Sequence, residues 1–195
     1  MKLGSTRFWL SVSALLLVPA GAERSPRAGQ NARAKSSARR NELTLAGIRP
    51  GRDSMERVTK RIGTPVVWQS GEPAFWFDKC RKQRLSADVD VSKQVQSLRV
   101  EAWPSSLQCS PGPGSPWRTG LGLRLDDACS RVPALYGKPD SRSPSTEGGQ
   151  PLELLYYAFD WAGPDVPQVM QVACTAEKDG RAARVVEITL AASSL

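Results

Sequence analysis

The sequence predicts an α+β fold of two tandem repeats, each a short helix packed on a three- to four-stranded antiparallel sheet. Three observations carry this expectation. The stretch "MERVTKRIGTP" at 55–65 is echoed 74 positions later by "CSRVPALYGKP" at 129–139, so that Val58, Gly63 and Pro65 fall on Val132, Gly137 and Pro139. Each copy is followed by segments in which apolar and polar residues alternate, as they do along half-buried strands. Between the copies, "PSSLQCSPGPGSP" at 104–116 is a Pro/Gly/Ser-rich run of the kind that separates folded units.

In the first copy, Asp53 or Ser54 can cap a helix whose apolar positions are Met55, Val58 and Ile62. Gly63 supplies the residue that ends it, and Pro65 sends the chain into extended structure. The next segment, 66–79, has two apolar-aromatic runs around a Ser-Gly turn and reads as a hairpin. In "RLSADVDV", Leu85, Ala87, Val89 and Val91 share one face, and in "QVQSLRVEAW" Leu98, Val100 and Ala102 share another. The second copy repeats the plan: an Asp cap at Asp126 or Asp127, a short helix ending at Gly137, and a polar loop over 140–150. A strand apolar on both sides follows, "PLELLYYAFDW", and then a hairpin around Asp179-Gly180. Pro133 falls inside the second helix, where it removes a hydrogen bond and should kink it.

The string apolar-x-x-Gly, then Val, then Gly-x-Pro and an aromatic strand resembles the SmpA/OmlA (BamE-like) family of small outer-membrane assembly proteins. The residues that carry it are Ile48, Gly51, Val58, Gly63, Pro65 and Trp68 in the first copy, and Leu123, Val132, Gly137, Pro139 and Tyr156 in the second. The tandem form, with a disulfide in each half, resembles the β-lactamase inhibitory protein fold. The resemblance covers nearly all of 43–195 and implies the helix-plus-sheet plan. It carries no binding residue over to this chain, and no lipidation cysteine follows the apolar run near the start.

That run, 8–18, follows Lys2 and Arg7 and precedes Pro19 and "AGA", which is the layout of a secretory signal peptide spanning 1–22. Eleven apolar residues are too few for a bilayer core, which needs about 20. Residues 23–42 hold six Lys/Arg and two Glu among Ser, Ala and Gly, and are read as a disordered basic tail. Such a tail is a solvated linker capable of weak, salt-sensitive contact with anionic envelope polymers. The rest is divided into 43–103 as the first repeat, 104–118 as a linker and 119–195 as the second repeat. Nucleic acid is not expected as a partner of an exported chain, nor is a membrane span after cleavage.

The chain contains no histidine, which removes Ser-His-Asp and Cys-His nucleophiles and His-ligated metals. No cofactor or metal is expected. Four cysteines, Cys80, Cys109, Cys129 and Cys174, in an oxidising compartment read as two disulfides, for which three pairings exist. Cys129 is expected beside Val132 and Tyr136 on a helix face. Cys174 shares a strand face with Met170, Val172 and Ala176, so these two are paired. Cys80, at the end of the aromatic strand, is then paired with Cys109 in the linker.

Asp126-Asp127 read as a helix cap, and Asp88 and Asp90 as a solvated sheet face rather than acid/base or Ca²⁺ groups. Lys79, Arg81, Lys82 and Arg84 make either an anion-binding edge or a charged edge that discourages sheet-to-sheet pairing. Surplus aromatic residues are the usual anchors of interfaces, and Trp76 and Tyr157 are the candidate partner-binding residues. The expected function is an exported, non-catalytic binding or envelope-assembly protein, periplasmic or secreted, that acts through a protein-interaction face. An inhibitor is one form of it. The alternative is a secreted carboxylate-dependent hydrolase of cell-envelope polymers.

Overall fold

The computed structural model describes residues 40–69, 71–106, 109, 117–159, 168–177, 180 and 182–192. The expected signal peptide, residues 23–39 of the tail and most of the 104–118 linker lie outside the described residues. None of the described helices is long and apolar enough to cross a membrane.

The described residues form two short helices and seven strands: α1 (Met55–Ile62), β1 (Ala74–Asp78), β2 (Gln83–Val89), β3 (Val95–Ala102), α2 (Arg131–Tyr136), β4 (Ser141–Glu147), β5 (Gln150–Phe159), β6 (Gln168–Thr175) and β7 (Val185–Ala192). All the strands belong to one antiparallel sheet in the order β1-β2-β3-β7-β6-β5-β4. This corrects the expected fold class. The two halves do not build separate three- to four-stranded sheets on helices of their own. They are fused through β3 and β7, whose register sets Leu98 against Leu190 and Val100 against Ile188.

The physical reason for the fusion lies in the rows of side chains that this register creates. One row runs Trp76, Leu85, Val100, Ile188, Val172, Leu155, and the next runs Ala74, Ala87, Leu98, Leu190, Met170, Tyr157. Every member of both rows is buried, and all belong to a single core. Had β3 and β7 stayed apart, each would have left an unpaired apolar edge in water. The two edges that remain are guarded. Val67 bridges to Phe75 beside β1. On the other side β4, "SRSPSTE", is polar and carries Pro144, which cannot extend a ladder.

Strand β4 is itself a departure from the sequence reading, which made 140–150 a loop. Its side chains are almost all exposed, so no apolar period marks it. Gly148 and Gly149, both at positive φ, turn it tightly into β5. The alternation in 84–91 ends at Val89: Asp90 accepts from Ser92 N and Gln94 N and turns the chain, leaving Val91 exposed.

Helix α1 forms where the sequence puts it. Ser54 accepts from Arg57 N, and Gly63, at φ 106°, closes the end with its N–H on Thr59 O. Helix α2 begins only at Arg131, so neither Asp126 nor Asp127 caps it. Asp127 holds the preceding turn instead, accepting from Arg124 N and facing Arg124 and Arg131. Pro133 is the third residue of α2, in the first turn, where no intrahelical N–H bond is lost.

Glu42 ties the start of the fold to α2. Its Oε1 accepts from the backbone N–H groups of Leu43, Thr44 and Gly120. Its Oε2 accepts from Leu121 N and from Tyr136 Oη at 2.8 Å. Thr119 Oγ1 lies 2.7 Å from the same phenol oxygen and accepts from Leu123 N. A Cβ on Gly120 would stand 2.6 Å from Glu42 Oε1, so the close approach requires glycine. A carboxylate this deeply buried is tolerable because five donors replace its water. Burial, and after it the charge of Glu42, pushes the Tyr136 phenol far above its usual range.

Candidate functional site

Both helices pack on one face of the sheet. Tyr136 of α2 sets its ring at a tilt against Tyr157 and Phe159, with centroids 5.8 and 6.3 Å away, and the C-terminal glycine of α1 accepts from Trp76. Among the described residues no helix lies over the opposite, open face, on which Glu101, Ala173 and Glu187 are nonetheless buried. Register defines two rows across this face. Phe77, Arg84, Glu101, Glu187, Ala173, Leu154 and Ser143 form the first; Phe75, Ser86, Arg99, Thr189, Gln171, Tyr156 and Ser141 form the second. The broad face thus carries aromatic residues on both flanks and charge in the middle.

The charged centre is ordered by cross-strand pairing. Arg84 is paired with Glu101 on the neighbouring strand. Its guanidinium also lies 4.3 Å from the Trp103 ring centroid and 5.2 Å from that of Phe75, an arrangement that fixes a flexible side chain between two rings. Trp103 and Phe77 approach each other with centroids 5.4 Å apart. Glu187 lies directly opposite Glu101 and 3.7 Å from Arg99 Nε. Burial pushes the Glu187 carboxyl above its ordinary range, the nearby Glu101 charge adds to this, and Arg99 opposes it. Two like charges side by side on adjacent strands are destabilising in themselves, so the two arginines are what makes this row tolerable.

The residues singled out from the sequence distribute unevenly. Trp76 and Tyr157, named there as partner-binding, are 4% and 0% exposed, and both point to the helix side. They are therefore corrected to core residues. Each has a polar tip that finds a partner at a helix end, Trp76 Nε1 on Gly63 O at 2.8 Å and Tyr157 Oη on Gly137 O at 3.1 Å. Their sequence neighbours, Phe75, Phe77 and Tyr156, hold the open face instead. Parity along β1 sets Phe75 and Phe77 opposite Trp76, but only the packing of the helices against Ala74 and Trp76 turns the phenylalanines outward.

Lys79, Arg81, Lys82 and Arg84 do not converge. Arg81 turns back on Asp78 at 2.7 Å in the tight turn after β1, whereas Arg84 belongs to the open face. Asp88 bonds Ser97 Oγ on that face. Asp90 closes the β2–β3 turn, and the hydrogen bond from the Ser92 side chain, followed by that from Gln94 N, lowers its carboxyl below the usual range. Among the described residues no group of three His, Cys, Asp or Glu is placed to hold a metal.

The cysteines form two disulfides, Cys80–Cys109 and Cys129–Cys174, with Cα atoms 5.2 and 6.0 Å apart. These bonds fit a chain that matures in an oxidising compartment. The second bridge floors a cleft of about 610 Å³ between the start of α2 and strands β4 to β6, where Pro133, Leu152 and Leu155 make apolar walls and the Arg142–Glu153 pair stands at the rim.

No family model matches this chain, and no curated protein matches it. A solved structure of a DUF4309 family protein (YjgB) from Bacillus subtilis subsp. subtilis str. 168 is similar at 10% identity, with a TM-score of 0.42, over 78% of this chain and 88% of that one.

Proposed function

We propose that this chain is an exported, non-catalytic binding protein, periplasmic or secreted, that engages a protein partner through the open face of its seven-stranded sheet. The observation that carries the reading is the set of aromatic and arginine side chains on a sheet face over which no described helix lies. This face presents Phe75, Phe77, Trp103 and Tyr156 around arginines already fixed by Arg84–Glu101 and Arg99–Glu187. Aromatic and arginine side chains are the residues that dominate binding energy at interfaces, and fixing them beforehand lowers the entropy lost on association. The facing pair Glu101 and Glu187 is the feature closest to a hydrolase dyad. Each carboxylate is engaged by its own arginine, which suits a structural charge network better than proton transfer.

The test is site-specific photo-crosslinking in the native envelope or culture medium. A photoreactive residue at Thr189 or Gln171, in the middle of the open face, is compared with one at Lys60, on the exposed side of α1. A partner captured from Thr189 and Gln171 and not from Lys60, and lost in an Arg99→Glu, Tyr156→Ala variant of unchanged thermal midpoint, supports the reading. Capture from Lys60 alone would sink it.

A further inference from the structure

A second surface lies at the β1 end of the sheet. Among the described residues five large apolar side chains are exposed, and four of them, Val66, Val67, Trp68 and Val91, gather here. Apolar residues scattered singly over a surface need no explanation, whereas a contiguous group does. Residues 66–68 run beside β1: Val66 N donates to Phe75 O at 2.8 Å, and Phe75 N donates to Val67 O at 2.9 Å. Trp68 meets Val91 across a hollow of about 400 Å³ that Val89, Asp90 and Lys93 also line. The four side chains thus form one ridge built from two separate loops.

The loop that carries Val91 is fastened. Lys93 N donates to Asp90 O at 3.0 Å, and Met55 N donates to Lys93 O at 2.8 Å, which ties the β2–β3 turn to the start of α1. Val91 stands wholly exposed on this turn and contributes nothing to the core. The chain that guards the β1 edge is, moreover, an apolar edge in its own right. Backbone groups of successive residues in an extended segment point to opposite sides. The Val67 carbonyl turns towards β1, so the backbone groups of Trp68 turn away from it, and Trp68 N–H has no acceptor among the described residues.

Charge indicates what the ridge accepts. At one end Val66 shares a hollow with Arg61, Asp78 and Lys79, and at the other Trp68 shares one with Asp90 and Lys93. Arg61 donates to Ala46 O, Asp78 is held by Arg81, and Asp90 accepts from Ser92 N and Gln94 N. Lys79 and Lys93 are exposed and make no ion pair or side-chain hydrogen bond among the described residues, and Glu72, in the turn between 66–68 and β1, pairs with neither.

We propose that this ridge binds an extended segment of a partner protein, apolar in its middle and acidic at both ends, which adds as a strand beside 66–68. In such strand addition main-chain hydrogen bonds hold the segment, and contacts to alternate side chains select it. Here Trp68 offers the main-chain donor, Val66, Trp68 and Val91 meet the apolar middle, and Lys79 and Lys93 face the acidic ends. A second copy of this chain fits less well. Two such edges related by a two-fold axis run antiparallel, so Lys79 of one copy comes to the Lys93 end of the other, and like charges oppose the pairing.

The test uses the full chain and two displayed peptide libraries with the same variable centre of Val, Ile, Thr and Tyr, one with Asp-Asp at both ends and the other with Lys-Lys. We expect the chain to retain peptides with acidic ends. A retained peptide, made synthetically, should bind about tenfold more weakly to Trp68→Ser and to Val91→Ser, as loss of an interface anchor implies. Val91 is wholly exposed, so its variant keeps the test valid if Trp68→Ser is unstable. Lys79→Glu with Lys93→Glu should shift the preference to the lysine-ended library. The Arg99→Glu, Tyr156→Ala variant of the open face should bind the peptide as the parent does, which separates this surface from that one. No retained peptide with acidic ends, equal binding to the parent and both serine variants, or binding lost only in the open-face variant would overturn the proposal. So would a dimer in sedimentation that Trp68→Ser and Val91→Ser disperse, which assigns the ridge to a second copy. Binding to phosphatidylglycerol vesicles that the same changes abolish, without peptide binding, would assign it to a lipid surface instead.

Discussion

Helices α1 and α2 each end on a glycine whose carbonyl accepts a hydrogen bond from a residue of the sheet, Trp76 for the one and Tyr157 for the other. They are held by different means. Helix α1 has eight residues, a Ser54 cap, Glu56 in its first turn and Lys60 and Arg61 in its last, all of which suit the helix dipole. Helix α2 has six residues, no side-chain cap, no acidic first turn and no basic last turn. So short a helix is not stable alone. Distant groups hold it: the Cys129–Cys174 bond just before its start, the Tyr136 phenol on Glu42, and Tyr136 packed against Tyr157 and Phe159. A helix can keep its place after losing its local signals, provided tertiary contacts replace them.

The sharpest way to break the comparison is to remove Glu42. Glu42→Ala removes the acceptor of Leu43 N, Thr44 N and Leu121 N in a buried site and one of two partners of Gly120 N and of the Tyr136 hydroxyl, and should cost about 3–5 kcal/mol. Denaturant midpoints check the total. Hydrogen exchange should place the loss in α2 and 117–123 and spare α1.

Disulfide deletion comes next. In the chain-entropy model, bridges spanning 29 and 45 residues contribute about 3.6 and about 4 kcal/mol, nearly the same. Replacing Cys129 and Cys174 with Ser should nevertheless open α2 to exchange, and replacing Cys80 and Cys109 should leave both helices protected. Equal loss of protection at α2 in the two variants would mean that the Cys129–Cys174 bond has no local role.

High pH separates the helices in another way. The Tyr136 phenol ionises far above its ordinary value of 10.0 in the folded chain, mainly because it is buried. A raised folded value means the native state holds its proton after the unfolded chain has lost it. The contribution is therefore complete below pH 10 and declines as pH rises beyond it. Tyr136→Phe should flatten the fall in stability above pH 10 measured by denaturation. A slope identical to that of the parent chain would show that Tyr136 is not the group responsible.

Two small effects complete the series. Tyr157→Phe removes the hydroxyl that caps α2 and should cost about 1 kcal/mol. Ser54→Ala removes a long, exposed cap bond of 3.5 Å and should cost about 0.5 kcal/mol, at the low end for caps. Thermal midpoints of the two variants, read side by side, show whether the end of α2 leans on the sheet more than the start of α1 leans on its cap.

What was legible in the sequence follows the same division. Helix α1 was readable because Ser54, Met55, Val58, Ile62 and Gly63 signal within ten positions. Cysteine pairing was readable because Cys174 shares the parity of Met170 and Val172, whose face meets α2. Strand β4 was invisible because an edge strand exposed on nearly every side needs no apolar period. Glu42, at the end of a segment read as tail, gave no sign of burial, since its partners Gly120, Leu121 and Tyr136 lie 78 to 94 positions away. The open face was missed for a related reason. Which of Phe75, Trp76 and Phe77 points outward depends on where the helices lie, and the fusion of the halves depends on the register of β3 with β7. Neither is a local property.

The seam between β3 and β7 also sets an order on folding. The strand described last along the chain, β7, sits between β3 and β6, so one flank of each stays unpaired until it arrives. The stretch from Ala102 to Val185 is about 80 residues, which a ribosome supplies in roughly 4–16 s at 5–20 residues per second. Pairing across so wide a separation is slow. Throughout that delay the sheet cannot close, and β3 and β6 each keep an edge without its β7 partner. A sheet completed from the middle therefore postpones its native pairing until β7 has been made.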